Sequence, residues 1–201
     1  MRARMLLSVL LAVSTARAAD PMMTPQERAH VIKLLEDSRA EFLSYVEYVS
    51  DAQWTWKSAP DRWSVGETAE HIVLTEGALF AKVREALAAP ENPEWEKQTA
   101  GKTEFIERVM VDRSHKATAP EPLRPQGLTR AEVIRRFRDA RAETLRFARD
   151  TQAPLKSHTA LHPFPVFNTL NAWQWLIYIP LHNLRHDQQI AEVKATAGYP
   201  R

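Results

Sequence analysis

The chain has 201 residues with 27 Lys+Arg against 25 Asp+Glu, a formal charge of +2, and no cysteine. Without cysteine it can have no disulfide, no thiol nucleophile and no lipidated cysteine at an export signal. The basic excess lies entirely in the first 18 residues, where Arg2, Arg4 and Arg17 meet no acid. Residues 19–201 hold 24 basic residues against 25 acidic ones, so nothing there offers the electrostatic footprint that nucleic-acid binding requires.

The opening Met1-Arg2-Ala3-Arg4, the apolar run from Met5 to Val13 and the ending Ala16-Arg17-Ala18 have the form of a secretory signal with an A-x-A cleavage site. The run is far shorter than the ~20 residues that span a bilayer. We therefore expect residues 1–18 to be removed, leaving residues 19–201 as one exported domain, periplasmic or extracellular, with no membrane association. Five glycines and the lack of alternating β-branched runs argue against a sheet and for an all-α fold.

The first helix is predicted from Thr24-Pro25-Gln26-Glu27, where a capping threonine, a proline at the first helical position and a glutamate three residues on form a capping box. Val31, Leu34, Leu35, Phe42, Tyr45, Val46 and Val49 carry its apolar face to about Ser50, and His30 falls on its surface. Residues 51–63 hold Trp54, Trp56, Pro60 and Trp63, an aromatic turn that either closes one end of the core or walls a substrate. Ser64-Val65-Gly66-Glu67 opens a second helix to about Ala88, with His71 one residue from Ile72 and so at the margin of the buried stripe. That margin suits a ligand lining a cleft, and equally a half-exposed histidine bonded to water.

Prolines 90, 93, 120, 122 and 125 mark residues 89–128 as a long crossover with a short helix near Thr103 to Val111; His115 in it reads as solvated. The third helix starts at a capping box, Thr129 to Glu132, and runs to about Thr151, its many arginines and acids forming a solvated face. A second loop, Pro154 to Asn168, contains His158 and His162. The last helix starts at Asn171-Ala172-Trp173-Gln174 and passes through Pro180, whose missing N–H frees the Leu176 carbonyl and favours a kink.

That last helix carries His182 and His186 four residues apart, on one stripe with Trp175, Tyr178, Ile179 and Ile190, so both imidazoles point inward and can converge on one point. Each could instead be a core histidine bonded to its own carbonyl or carboxylate. Leaving buried nitrogens unpaired costs roughly 1–3 kcal/mol each, and one divalent cation would satisfy both. Such a site needs a third ligand from elsewhere in the chain.

Trp63-Ser64-Val65-Gly66-Glu67-Thr68-Ala69-Glu70-His71, together with Trp173 to Ile177 and His182-x-x-Arg185-His186-x-x-Gln189-Ile190, resembles the DinB-like superfamily, which includes YfiT-type metal-dependent hydrolases. Arg113 to Pro125 and His162-Pro163 are similar to one branch of it. The resemblance covers nearly all of residues 19–201 and implies a four-helix bundle with a long crossover between helices two and three. It also implies a divalent metal, zinc or nickel foremost, held by His71, His182 and His186, and frequent homodimerisation. Relatives often have Phe-Gly where this chain has Phe167-Asn168, a departure that touches the loop and leaves the ligands intact.

Three neutral imidazoles leave the charge of a dication uncompensated, which favours an acidified water at an open position. The expected activity is hydrolysis of a small-molecule substrate. The alternatives are metal-dependent transfer of a small thiol, as in some relatives, and a bundle that binds a metal or ligand without turnover. Tyr178, one turn before His182, is the candidate proton donor, and Glu76, near the core face of the second helix, a candidate acid or base. Arg185 and Asp187 are read as surface or supporting residues.

Overall fold

The computed structural model describes residues 19–114 and 118–201; the signal sequence expected at residues 1–18, and His115, lie outside the described residues. Four long helices make the bundle: α1 (Pro25–Val46), α3 (Val65–Ala88), α6 (Arg130–Asp150) and α7 (Ala172–Ala195). Short helices α2 (Asp51–Thr55), α4 (Trp95–Thr99) and α5 (Lys102–Val111) lie in the connections, with a 3-10 turn at Glu121–Leu123. In the bundle α7 packs on both α1 and α3, and α6 packs on the same two from the other side. The long crossover between α3 and α6 lays α5 along α7.

Local sequence sets most helix starts. Thr24, Ser64 and Asn171 each accept the backbone N–H three residues on while the side chain of that residue, Glu27, Glu67 or Gln174, returns to the cap. Two donors at each helix start are thereby satisfied. At α6 only half of the box forms. Thr129 accepts from the Glu132 N–H at 3.3 Å, but the Glu132 carboxylate turns to Arg136. The first helix ends at Val46 rather than near Ser50, because Ser50 and Gln53 form a box of their own that starts α2. The apolar period, which runs on through Val49, masks that cap in the sequence.

One expectation needs correction. The chain does contain strands: β1 (Thr159–Leu161) pairs antiparallel with β2 (Thr169–Asn171) in a two-stranded ladder. The ladder is too short for alternation to register. Its loop contains Asn168 at φ 51°, the left-handed conformation that asparagine tolerates better than most residues, at the place where relatives often carry glycine.

The core divides into two apolar clusters. One gathers Leu35, Leu79, Leu145, Leu155, Leu176 and Ile177; the other gathers Phe42, Val46, Ile72, Val133, Phe137 and Ile190. Between them on each long helix comes a buried polar residue: Ser38, Glu76, Arg141 and Asn183. Pro180 sits within α7, which continues as helix on both sides of it.

The tryptophans after α1 divide their roles. Trp54 is buried in the second cluster, and its indole occupies the space a side chain on Gly66 would need, since a Cβ there would lie 2.5 Å from Trp54 Nε1. Trp63 packs instead against the His71 ring. Gly66→Ala should therefore overpack the Trp54 corner and destabilise the domain by roughly 1–3 kcal/mol, seen as a fall of several degrees in the thermal midpoint; an unchanged midpoint would mean that the indole can move aside.

Candidate metal centre

His71 comes from the second turn of α3, and His182 and His186 from successive turns of α7. The two helices pack directly on each other, so the i,i+4 pair faces the single histidine across their contact. The ring centroids lie 5.2 Å apart for His71 and His182, 4.6 Å for His71 and His186, and 4.5 Å for His182 and His186. One ring nitrogen from each lies within 4.8 Å of the others, and among the described residues these three are the one group of His, Cys, Asp and Glu side chains placed to hold a metal ion. A tetrahedral ion with bonds of ~2.0–2.1 Å holds its nitrogens ~3.4 Å apart, so the three rings would draw closer around one.

Hydrogen bonds select which nitrogens are offered. His71 Nδ1 is 2.7 Å from the Leu123 carbonyl oxygen, which can only accept, so Nδ1 carries the proton and Nε2 the lone pair. His186 Nδ1 is 2.9 Å from Gln189 Oε1, which imposes the same tautomer. His182 makes no side-chain hydrogen bond to the described residues, so its tautomer is not fixed in this way. This pattern, with the far nitrogen held by a carbonyl or amide oxygen, is the usual support behind a metal-ligating imidazole.

The rings are neutral. Burial lowers the pKa of His71, against the pull of the Leu123 carbonyl. His182 is lowered well below its ordinary value by burial and then by its two neighbouring histidines and Arg185. His186 falls to about 3, chiefly through burial and then His71. Protons therefore compete weakly with a cation for these nitrogens at neutral pH.

Around the triad, Trp63 places its ring 5.0 Å from His71. Tyr178 lies nearly parallel to His182 at 6.4 Å, and burial raises its pKa, with Arg185 acting in the opposite direction, so it remains a neutral phenol able to hold a proton. His162, beyond Tyr178 at 5.3 Å, stacks on Trp175 at 4.9 Å. Burial first lowers its pKa to about 4. Arg185 donates to the Met110 and Asp112 carbonyls, while Arg113 donates to the Arg185 carbonyl and clamps Glu192 with two nitrogens. These contacts fasten the end of α5 beside His186. His30 is on the surface, paired with Glu107, and His158 bonds the Ala89 carbonyl.

Three expectations change. Glu76 does not face the triad as an acid or base; its two oxygens take Arg141 Nε at 2.7 Å and Nη2 at 2.9 Å. Arg141, expected on a solvated face, is fully buried, and all five of its N–H groups are used. Besides Glu76 they reach the Leu35 carbonyl (2.6 Å), Ser38 Oγ (2.7 Å) and Asn183 Oδ1 (2.8 Å). Asp187, expected as a surface or supporting residue, is fully buried and takes Asn183 Nδ2 at 2.9 Å. Burial, then Glu41, pushes its carboxyl up to about 8, and protonation lowers the cost of an Oδ1 that is buried without a partner. Glu70 is also removed from chemistry, because it accepts the backbone N–H groups of Gln126, Gly127 and Leu128 at 2.6–3.1 Å.

The chain is a four-helix bundle in which three imidazoles converge from two of the helices, in a group that could hold a metal ion. Residues 34–190 match the family model of the DinB superfamily, and the chain belongs to that superfamily. It is 25% identical over 166 residues to the uncharacterized protein YuaE of Bacillus subtilis (strain 168), covering 81% of this chain and 96% of that protein. Its fold is similar to that of YfiT from Bacillus subtilis, described as a probable metal-dependent hydrolase with an unusual four-helix bundle topology. The TM-score is 0.61 at 13% identity, with 92% of this chain and 94% of YfiT covered.

The lowered histidine pKa values set a pH dependence. Unfolded histidines take up protons near pH 6.5, whereas the folded triad does not. In chelator-treated protein, stability should thus fall as pH drops below 6.5, for His186 down to about 3. Denaturant titrations between pH 8 and 4 should show a shallower decline for His186→Gln than for the parent chain; parallel curves would mean that the ring titrates alike in both states. Gln189→Leu, which removes the acceptor behind His186, should weaken zinc binding by about 10–100-fold, measured in competition with a chromophoric chelator.

Proposed function

We propose that the chain is a divalent-metal-dependent hydrolase of a small-molecule substrate, with His71, His182 and His186 as metal ligands. The observation that carries this reading is the convergence of three neutral imidazoles, two of them with Nδ1 protons engaged so that Nε2 is free to coordinate. Membership of the DinB superfamily and the description of YfiT point the same way. A bound dication with three protein ligands and an open position supplies Lewis acidity, enough to bring the pKa of a water to roughly 7.

The chain's own residues supply the rest. Leu123 and Gln189 hold the ligand rings in one tautomer, and Trp63 shields one side of the cluster. Tyr178, which keeps its phenolic proton and stacks beside His182, would in this reading be the donor to a leaving atom. The signal-like residues 1–18 support export to the periplasm or beyond, and among the described residues no helix is long and apolar enough to cross a membrane.

Metal-dependent transfer of a small thiol is the second reading. It is favoured by one observation: Glu70 and Glu76 are both committed to structural bonds. An incoming thiol is acidic enough to be activated by a cation without a protein carboxylate base.

The test is to load purified protein with zinc, nickel or manganese and to screen ester, amide and phosphoester panels, then electrophiles with and without added thiol. Thiol-independent, metal-dependent cleavage is expected. His186→Ala should lower it by more than about 100-fold, because losing even the partner behind a ligand costs about 10–100-fold. Turnover only with thiol would favour the second reading, and wild-type protein that binds none of the three metals would end both. Tyr178→Phe should lower kcat by roughly 10²–10⁴ without changing metal affinity if the phenol donates the proton.

A further inference from the structure

The histidine pair on α7 has a second pair beside it. Asn183 and Asp187 come one residue after His182 and His186 respectively, so this row is rotated by about 100° from the histidine row. The histidine row faces α3. The neighbouring row enters the buried polar layer, where Asn183 Oδ1 accepts from Arg141 and Asn183 Nδ2 donates to Asp187 Oδ2. On α3 the arrangement repeats, since Glu76 holds the same guanidinium through both oxygens five residues after His71.

Both helices that supply the triad are thus keyed to one rigid planar group. Arg141 is itself anchored to α1 through the Leu35 carbonyl and Ser38, and it separates the two apolar clusters of the core. Apolar side chains tolerate small slips and rotations of one helix on another, because their contacts carry no direction. A guanidinium with five donors on five fixed acceptors does not, since any rotation of α7 that carried His182 and His186 away from His71 would also pull Asn183 from Nη2.

We propose that Arg141, with Glu76 and Asn183, is the positioning group of the metal site: it sets the rotation of α7 against α3 at which the three histidines meet. This inference rests on the proposed metal-binding role of the triad. Arg141 touches neither metal nor substrate and acts through the helices.

The test compares zinc affinity, by competition with a chromophoric chelator, in wild-type protein, the paired variant Arg141→Met/Glu76→Leu and Asn183→Leu. Removing both charges together avoids stranding one in the core, and Asn183→Leu leaves the Arg141–Glu76 pair intact should the paired variant not fold. Each variant should bind zinc about 10-fold or more weakly at a temperature well below its unfolding midpoint, and the visible absorption of the cobalt(II)-loaded protein should lose its four-coordinate character. A residue that added only global stability would lower the midpoint but leave both readouts unchanged. Wild-type affinity and spectrum in the folded variants would therefore overturn the positioning role while leaving the metal site standing. Wild-type protein that binds no zinc would overturn the metal reading, and this inference with it.

Discussion

Five hydrogen bonds from the buried guanidinium of Arg141 join four helices in one plane of the bundle. Taking such a charge from water is costly, and breaking one side of a buried pair typically costs about 3–5 kcal/mol. The layer is tolerable because every N–H finds an acceptor and Glu76 supplies the compensating charge. Apolar residues above and below then pack without having to specify helix rotation, since the polar layer already does so. The bundle is in this sense two apolar cores joined by a directional joint.

The histidine cluster uses the same economy of polar groups. No carboxylate joins it among the described residues: on α3, Glu67 serves a helix cap, Glu70 the backbone of the crossover and Glu76 Arg141, while Asp187, next to His186, takes the Asn183 amide. An all-imidazole site leaves the charge on a bound cation, which strengthens its pull on a further ligand. The crossover takes part directly, because the Leu123 carbonyl that fixes the His71 tautomer lies on it and Glu70 ties down its far end. A connection that looks like a mere span between α3 and α6 thereby becomes part of the support of the site.

How legible each feature is in the sequence depends on how local its signal is. Helix starts are readable where a capping residue and its partner lie three positions apart, and the HxxxH pair is readable because a helix places i and i+4 on one stripe. His71 is reached through resemblance; at the edge of its stripe it has no local signal of its own. Arg141 is hard to recognise as buried because it sits among Arg135, Arg136, Arg138, Arg146 and Arg149, which are partly or wholly exposed. Its position four residues from both Phe137 and Leu145, on the buried face, is the available clue. Asp187 is hidden in the same way by the charged and polar residues around it.

Sequence alone determined what depends on near neighbours: a bundle of long helices, the helix starts set by caps, and an inward pair of imidazoles on the last helix. Tertiary structure alone decided which ring nitrogens carry protons, that Glu76 serves a buried arginine rather than chemistry, and that α3 brings His71 to within ring contact of the pair. The physical reason is separation along the chain. Leu123 and His71 are 52 residues apart, Arg141 and Glu76 are 65 apart, and no periodicity within a helix encodes a hydrogen bond between groups that meet only when the bundle closes.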